Sequence, residues 1–200
     1  MSQKKLIQMK NLCLNILFFA FFFLMQNFIN PSIGFSQNKT IQNSAVVWKA
    51  YKVAGSHTGT LDLKSGFLSF DGGKLKGGEF VIDMTSIACT DLSGEYKGKL
   101  EGHLQSSDFF SVEKHSKSTL KITKAKSTGK NVYSIKGDLT IKGITKSVKF
   151  NASIYGSKAI ANIKVDRTKF DIKYGSGSFF DDLQDNMIYD EFDLVIDLEF

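Results

Sequence analysis

The chain has 200 residues, a formal net charge of +6, two cysteines and one proline. Two cysteines exclude a small disulfide-dense scaffold, and scattered lysines without interleaved stacking aromatics do not indicate nucleic-acid binding. A chain of this length can bury a sizeable core within one domain.

The N-terminus has the pattern of a secretory signal. Three lysines within the first ten residues precede an apolar run over 12–25, and a small-residue site follows at 34–36. We therefore predict a signal peptide over residues 1–36, cleaved after Ser36. A retained membrane anchor is the alternative, but the run is shorter than the ~20 residues that a spanning helix needs. Cleavage would give a periplasmic or secreted protein without a membrane span.

Removal of this segment changes the charge and the cysteine count. The net charge falls from +6 to +3, because three lysines and no acidic residues lie in the segment. Cys89 becomes the only cysteine, so no internal disulfide is expected and stability must come from packing. Because no histidine is near it in sequence, Cys89 is interpreted as a small buried hydrophobic residue and not as a nucleophile.

A polar stretch over 37–45 predicts a flexible segment, and a single β-barrel domain is predicted over 46–200. The first part of this domain shows the two-residue alternation of strands with one apolar face. Breaks at Gly55 and Gly66 separate the first predicted strands. Glycine-rich stretches at 71–74 and 76–78 indicate hairpin turns and not phosphate-binding loops, because no helical pattern follows them. The predicted strands are Val46–Val53, His57–Lys64, Phe67–Asp71 and Phe80–Thr85.

Residues 91–110 interrupt the alternation. The apolar residues that recur there at a spacing of four are Leu92, Tyr96, Leu100 and Leu104. This spacing places them on one face of a helix. Three glycines in the stretch weaken a helix by about 1 kcal/mol each relative to alanine. We therefore expect one short helix over an end or flank of the sheet, ending near 106–108.

The clearest hairpin signal lies between residues 133 and 154. Apolar residues occupy odd positions up to Ile141 and even positions from Val148 onward, with polar residues between them. The connection 142–145 contains Gly143, which can adopt a positive φ, so a short antiparallel hairpin is predicted. The remaining predicted strands are Ser118–Lys126, Ala159–Arg167 and Glu191–Phe200, with a long polar connection over 168–188.

Eight or nine strands with antiparallel neighbours and one helix indicate an all-β fold, and favour a barrel over a sandwich. The last strand alternates without a break, and its pairing with an early strand would remove both sheet edges. An eight-stranded barrel has an interior that side chains can fill or that can hold one small ligand.

Four motifs resemble those of the YceI-like family of exported lipid-binding proteins. They are Val81–Ile87, Glu101–Lys114 with Asp108-Phe109-Phe110, Gly137–Lys146 with Leu139-Thr140-Ile141, and Asp166–Gly175. The motifs follow the family's order over about residues 46–200. The resemblance implies a lipocalin-like antiparallel β-barrel of about eight strands whose interior holds a long isoprenoid chain, such as a polyprenyl lipid or a quinone tail. It implies no shared catalytic residues. We expect no cofactor apart from a bound polyprenyl lipid or quinone.

Inward-facing apolar residues are the candidate ligand contacts. The predicted ligand-binding residues are Phe67, Phe80, Ile82, Leu139, Ile141, Val148, Phe150, Ile163, Arg167, Phe192, Leu194 and Ile196. The apolar members of this set could instead fill the barrel as an ordinary core. Alternation does not separate the two interpretations, because a packed interior and a tunnel show the same pattern.

Arg167 is the only guanidinium and lies beside Asp166 at the end of a predicted strand. Its planar group would suit a lipid diphosphate. It could instead pair with a neighbouring carboxylate and fix the following loop, which is the interpretation we favour.

Other function classes have less support from the sequence. Ser56 and His57 are adjacent on a predicted strand and point to opposite faces, so they do not form a catalytic dyad. The histidines at 57, 103 and 115 lack metal-ligand spacing. We therefore expect a binding protein and not an enzyme. The alternatives are an exported structural or protein-binding β-domain and, with less support, a hydrolase.

Overall fold

Nine strands and one α-helix account for most of residues 36–200, the part of the chain that the computed structural model describes. The strands are β1 (Gln37–Thr40), β2 (Asn43–Lys52), β3 (Gly55–Asp71), β4 (Lys74–Cys89), β5 (Lys117–Gly129), β6 (Val132–Ile141), β7 (Ile144–Tyr155), β8 (Lys158–Asp166) and β9 (Ile188–Glu199). Helix α1 (Gly94–Gln105) lies between β4 and β5, and two short 3-10 helices, Arg167–Phe170 and Gln184–Asn186, lie between β8 and β9. The predicted signal peptide, except for Ser36, lies outside the described residues.

The strands close into an eight-stranded antiparallel barrel. Their order is β3-β2-β9-β8-β7-β6-β5-β4, and β4 pairs back with β3. This confirms the predicted barrel of about eight strands, in which the last strand pairs with an early one, β2. Closure pairs both edges of the barrel sheet.

Because neighbouring strands are antiparallel, successive connections lie at alternate ends of the barrel. The connections 53–54, 90–116, 142–143 and 167–187 lie at one end, which we term the helix end. The connections 72–73, 130–131 and 156–157 lie at the opposite end, which we term the hairpin end. The predicted hairpin is confirmed as β6–β7, with Ile141 paired with Ile144. Its loop has only two residues, Lys142 and Gly143, both with positive φ, as a type I′ turn requires.

The structure corrects the prediction of a flexible segment over 37–45. Residues 37–40 form β1, which pairs with Phe67–Phe70 in β3, and β2 begins at Asn43. Between them, the amide of Ile41 donates to the Gly66 carbonyl at 3.0 Å, and the amide of Gln42 donates to Glu199 at 2.7 Å. Main-chain hydrogen bonds hold this stretch in the sheet. Because these bonds do not depend on side-chain type, the polar side chains do not indicate a strand.

The turn at 53–54 confirms the predicted break near Gly55, the residue at which β3 begins. The predicted break at Gly66 is wrong, because β3 is one strand of 17 residues. Its pairing with β4 shifts register at three places instead of ending. One shift lies between Leu63, which pairs with Ile82, and Ser65, which pairs with Val81. The extra residue in such a β-bulge reverses which face the following side chains occupy.

Helix α1 confirms the predicted short helix, although the predicted apolar stripe is only partly correct. Leu104 is buried, whereas Tyr96 is 74% exposed. The helix is attached to β4 through Glu101, whose Oε1 accepts a hydrogen bond from the Cys89 amide at 2.8 Å. No helix within residues 36–200 has the length and apolar character needed to cross a membrane.

Among the described glycines, Gly59 leaves the least space for a side chain. A Cβ atom at this position would lie 1.8 Å from the Ala88 carbonyl oxygen and 2.6 Å from the Trp48 ring. The Trp48 indole N–H also donates to that carbonyl at 3.1 Å, so neither neighbour can move freely. Gly59 is therefore required by packing.

We expect Gly59→Ala to reduce the free energy of unfolding by about 3 kcal/mol or more, because β4 or Trp48 must be displaced. The control is Gly98→Ala in α1, where no atom lies within 4 Å of the added methyl group. That change should stabilise the protein by about 0.5–1 kcal/mol. Urea unfolding measures both effects, and equal stability of the two variants would contradict the packing described here.

Candidate functional site

An apolar cavity of about 160 Å³ lies inside the barrel. Inward-facing residues of all eight barrel strands form its wall, and Leu104, Phe109 and Phe110 contribute to it from the helix end. The wall is almost entirely aliphatic and aromatic, because closure turns the apolar face of each strand inward. Such a site favours an apolar ligand.

Buried apolar residues surround the cavity in two clusters. One includes Trp48, Phe109 and Phe170, and the other includes Leu75 and Ile135. A cavity of about 150 Å³ holds one benzene molecule, whereas pockets for drug-sized ligands measure roughly 300–1,000 Å³. Most of the interior is therefore packed core in this conformation, with space for one small apolar group.

Most of the predicted ligand-binding residues contribute to the cavity wall. Those in the wall are Phe80, Ile82, Leu139, Ile141, Phe150, Ile163, Arg167, Phe192, Leu194 and Ile196. They come from β4, β6, β7, β8, β9 and the residue that follows β8. The structure thus brings together residues that are far apart in sequence, while their contact with a ligand stays a prediction.

Phe67 is absent from the cavity wall. The β-bulge between Leu63 and Ser65 moves the inward positions of β3 from odd to even numbers, so that Leu68 lines the cavity. Phe67 pairs instead with the exposed Glu79 on the outer face. The prediction that Phe67 faces the interior is therefore wrong.

Val148 is also absent from the wall, for a different reason. The pairing of β7 with β8 begins only at Asn151 and Asn162, so the two strands part on the helix-end side of that pair. Val148 packs against the helix-end cluster and lines a separate surface pocket with Val165 and Phe170. We term this parting of β7 and β8 the seam.

Several wall residues escaped the sequence-based prediction. Trp48 and Ala50 line the cavity from β2, and Ala161 lines it from β8. Trp48 and Ala50 share one phase of β2, but apolar residues also occupy the other phase, at Val47 and Tyr51, so the alternation of β2 does not indicate which face is inward. Ala161 follows the alternation of β8, but a small side chain is a weak indicator of an inward position. Phe109 follows α1, where no periodicity indicates which residues face the barrel interior.

Arg167 is buried, and three of its five N–H donors bind main-chain oxygens. Its guanidinium donates to the carbonyls of Ile172 (2.9 Å), Ile188 (2.9 Å) and Tyr189 (3.1 Å), and the side chain is 4% exposed. Burial lowers the pKa of Arg167, and the Asp190 carboxylate, 3.7 Å away, opposes that shift. This geometry supports the loop-fixing interpretation, with carbonyls as the main partners, because few donors remain for a lipid diphosphate.

Cys89 is fully buried, and its thiol donates to Asp91 Oδ1 at 3.0 Å. The other carboxylate oxygen of Asp91 lies 3.2 Å from His57 Nδ1. Burial raises the pKa of the Cys89 thiol, and the adjacent carboxylate acts in the same direction. The contact therefore stabilises the neutral thiol, which is a poor nucleophile. Within residues 36–200, no three His, Cys, Asp or Glu side chains group as metal ligands.

Comparison with known proteins places the chain among β-barrel relatives. A model of the YceI-like domain matches residues 37–200. A UPF0312 protein of Ectopseudomonas mendocina is 34% identical over 98 residues, which cover 49% of each chain. A UPF0312 protein of Vibrio cholerae is 30% identical over 110 residues, covering 51% of this chain and 55% of the relative. The matched part thus spans about half the length of these curated relatives.

Solved structures share the fold at low sequence identity. BcnA of Burkholderia cenocepacia gives a TM-score of 0.62 at 20% identity, covering 78% of this chain and 94% of that one. A polyisoprenoid-binding domain from Saccharophagus degradans gives 0.55 at 13% identity, covering 82% and 99%. The Campylobacter jejuni YceI protein gives 0.52 at 18% identity, covering 87% and 89%. At these identities the likeness concerns the fold.

We expect Arg167→Met to destabilise the protein by about 3 kcal/mol or more, because three carbonyls lose their donor and Asp190 loses its counter-charge. The control is Lys169→Met, which removes an exposed ion pair with Asp166 and should cost less than about 1 kcal/mol. Urea unfolding measures both. An Arg167→Met variant of normal stability that selectively loses a diphosphate-headed lipid would contradict the structural role.

Proposed function

This chain belongs to the YceI-like family, and from its apolar cavity we propose that the barrel binds the apolar chain of an isoprenoid lipid in its interior. The observation that carries the proposal is a cavity whose wall is apolar on all eight barrel strands. The one guanidinium in that wall, Arg167, is already bound to three protein carbonyls. The polyisoprenoid-binding domain of Saccharophagus degradans, which has the same fold, supports this choice of ligand.

The driving force is the removal of the chain from water. Each methylene group that is transferred into apolar surroundings contributes about 0.8 kcal/mol. The cavity of about 160 Å³ accepts one benzene-sized group as it stands, so a long chain requires wall residues to move. We assign this movement to Phe80, Phe150 and Phe192, three wall residues on different strands. Rotation of their rings to other staggered rotamers would lengthen the cavity along the barrel axis.

The setting of this function follows from the predicted signal peptide over residues 1–36. An exported barrel that encloses a lipid would transport or store an isoprenoid, such as a polyprenyl lipid or a quinone, in the periplasm or outside the cell. The role is binding and not catalysis. The buried Cys89 thiol, held neutral beside Asp91, agrees with that role.

A protein-binding β-domain is the second candidate, because aromatic side chains are exposed near the helix end. Tyr174, Phe179, Phe180 and Tyr189 are each about half exposed. Aromatic residues of this kind are enriched at protein interfaces. A barrel that takes up no lipid, together with a specific partner whose binding is lost in Phe179→Ala, would favour this candidate over the first.

Uptake of a long-chain prenol tests the proposed function. Trp48, the only tryptophan, lies in the cavity wall, so its fluorescence reports occupation of the interior. We expect Ala161→Phe to weaken prenol binding by at least about tenfold, because a phenyl ring would occupy most of the cavity.

The matched control for this prediction is Ile160→Phe. Ile160 precedes Ala161 in β8 and is 43% exposed, so its substitution adds a ring outside the barrel. The control should bind one prenol per protein with the affinity of the unchanged chain. Equal binding by both variants, or no uptake by the unchanged chain, would contradict a ligand site in the interior.

A further inference from the structure

The outer surface of strands β5 to β8 is strongly basic. These four strands contain nine lysines and only two acidic residues, Asp138 and Asp166. The neighbouring strand β9 contains five acidic residues and no lysine. The charge of the barrel is therefore divided between adjoining faces.

Three of the lysines form a direct cross-strand row. Lys124 of β5 pairs with Lys136 of β6, and Lys136 pairs with Lys149 of β7. All three side chains are exposed, and none belongs to an ion pair within the described part of the chain. We term these residues the lysine row. Like charges directly opposite on neighbouring strands are destabilising, so the row weakens the fold unless an anion offsets it.

The lysine row ends at the seam between β7 and β8. Lysines also surround the pocket in the seam, at Lys146, Lys149, Lys164 and Lys169, and its floor includes Val148 and Phe170. Lys164 is already paired with Asp193 at 3.2 Å and Lys169 with Asp166 at 3.3 Å. The lysines of the pocket that lack an ion-pair partner in the described part of the chain, Lys146 and Lys149, therefore lie on its β7 side. The lysine row continues this unpaired positive charge from Lys149 across β6 and β5.

We propose that the lysine row docks the barrel, side on, to an anionic phospholipid surface. Charge complementarity favours an anion, and the apolar floor of the seam beside the row suits a molecule that combines an anionic head with an apolar chain. The exposed residues beside the lysine row are mainly Ser, Thr and Asn. The exposed aromatic residue on these strands, Tyr155, lies at the hairpin end of β7, six residues from Lys149, so the row lacks the interleaved aromatics on which single-stranded nucleic acids stack. Each lysine near such a surface contributes a roughly fivefold increase in binding, less at high salt.

The lysine row is separate from the cavity, and the vesicle experiment contains no isoprenoid. The proposed membrane docking and the proposed lipid binding in the barrel can therefore fail independently. The purified protein is mixed with vesicles of phosphatidylcholine alone or of phosphatidylcholine with phosphatidylglycerol, at about 0.1 M salt, where the Debye length is about 10 Å. Sedimentation measures the bound fraction. We expect binding to the anionic vesicles only, with weaker binding as salt rises.

The decisive variant is the triple substitution Lys124→Gln, Lys136→Gln and Lys149→Gln. It should weaken binding to the anionic vesicles on the order of a hundredfold. Its thermal midpoint should stay the same or rise, because like-charge repulsion is removed. The corresponding triple substitution by Arg keeps the positive charges and should keep the binding. This control distinguishes an effect of lost charge from an effect of lost structure.

A control triple removes the same number of charges elsewhere, with Lys64→Gln, Lys74→Gln and Lys114→Gln, all exposed. It should retain binding within a few-fold of the unchanged chain. Equal loss of vesicle binding in both triple variants would overturn the proposal, because binding would then depend only on net charge. Equal binding to neutral and anionic vesicles would also overturn the proposal. So would binding to an anionic polysaccharide without binding to anionic vesicles. Self-association through the acidic β9 of a second copy, in place of vesicle binding, would overturn it as well.

Discussion

The pairing of β3 with β4 determines the architecture of the whole barrel. It closes the sheet, and closure decides which face of every strand lies inside. It also forces the approach of Ala88 and Trp48 at Gly59, where no side chain fits. Because the apolar faces must then meet around a common axis, the cavity is a consequence of closure and not of any single residue.

The interior selects its ligand mainly by excluding polar groups. Arg167 lines the cavity, but three of its five donors bind carbonyls of the connection between β8 and β9 and of the first residues of β9. A ligand therefore finds apolar contact and few free hydrogen-bond partners, so size and apolarity govern what can bind. The charged groups that could recognise an anionic head lie outside, on the faces of β5 to β8. This division fits a molecule that encloses an apolar chain and meets charged surfaces with its exterior.

Alternation in the sequence predicted the β6–β7 hairpin, the pairing of the last strand and most of the cavity wall, because period two is what a closed barrel imposes. It could not predict features that depend on register. The bulge after Leu63 removed Phe67 from the interior, and the parting of β7 and β8 removed Val148. The lysine row is another such case, since its members are more than ten residues apart in the chain and meet only through pairing. No periodicity located Phe109 above the cavity.

Native mass spectrometry of the protein purified without detergent can show whether the barrel encloses an isoprenoid chain. We expect a population whose mass exceeds that of the polypeptide by one lipid, which solvent extraction releases and identifies as an isoprenoid. A protein that carries only its polypeptide mass, and keeps that mass after incubation with long-chain prenols and quinones, would rule out a lipid site in the barrel interior.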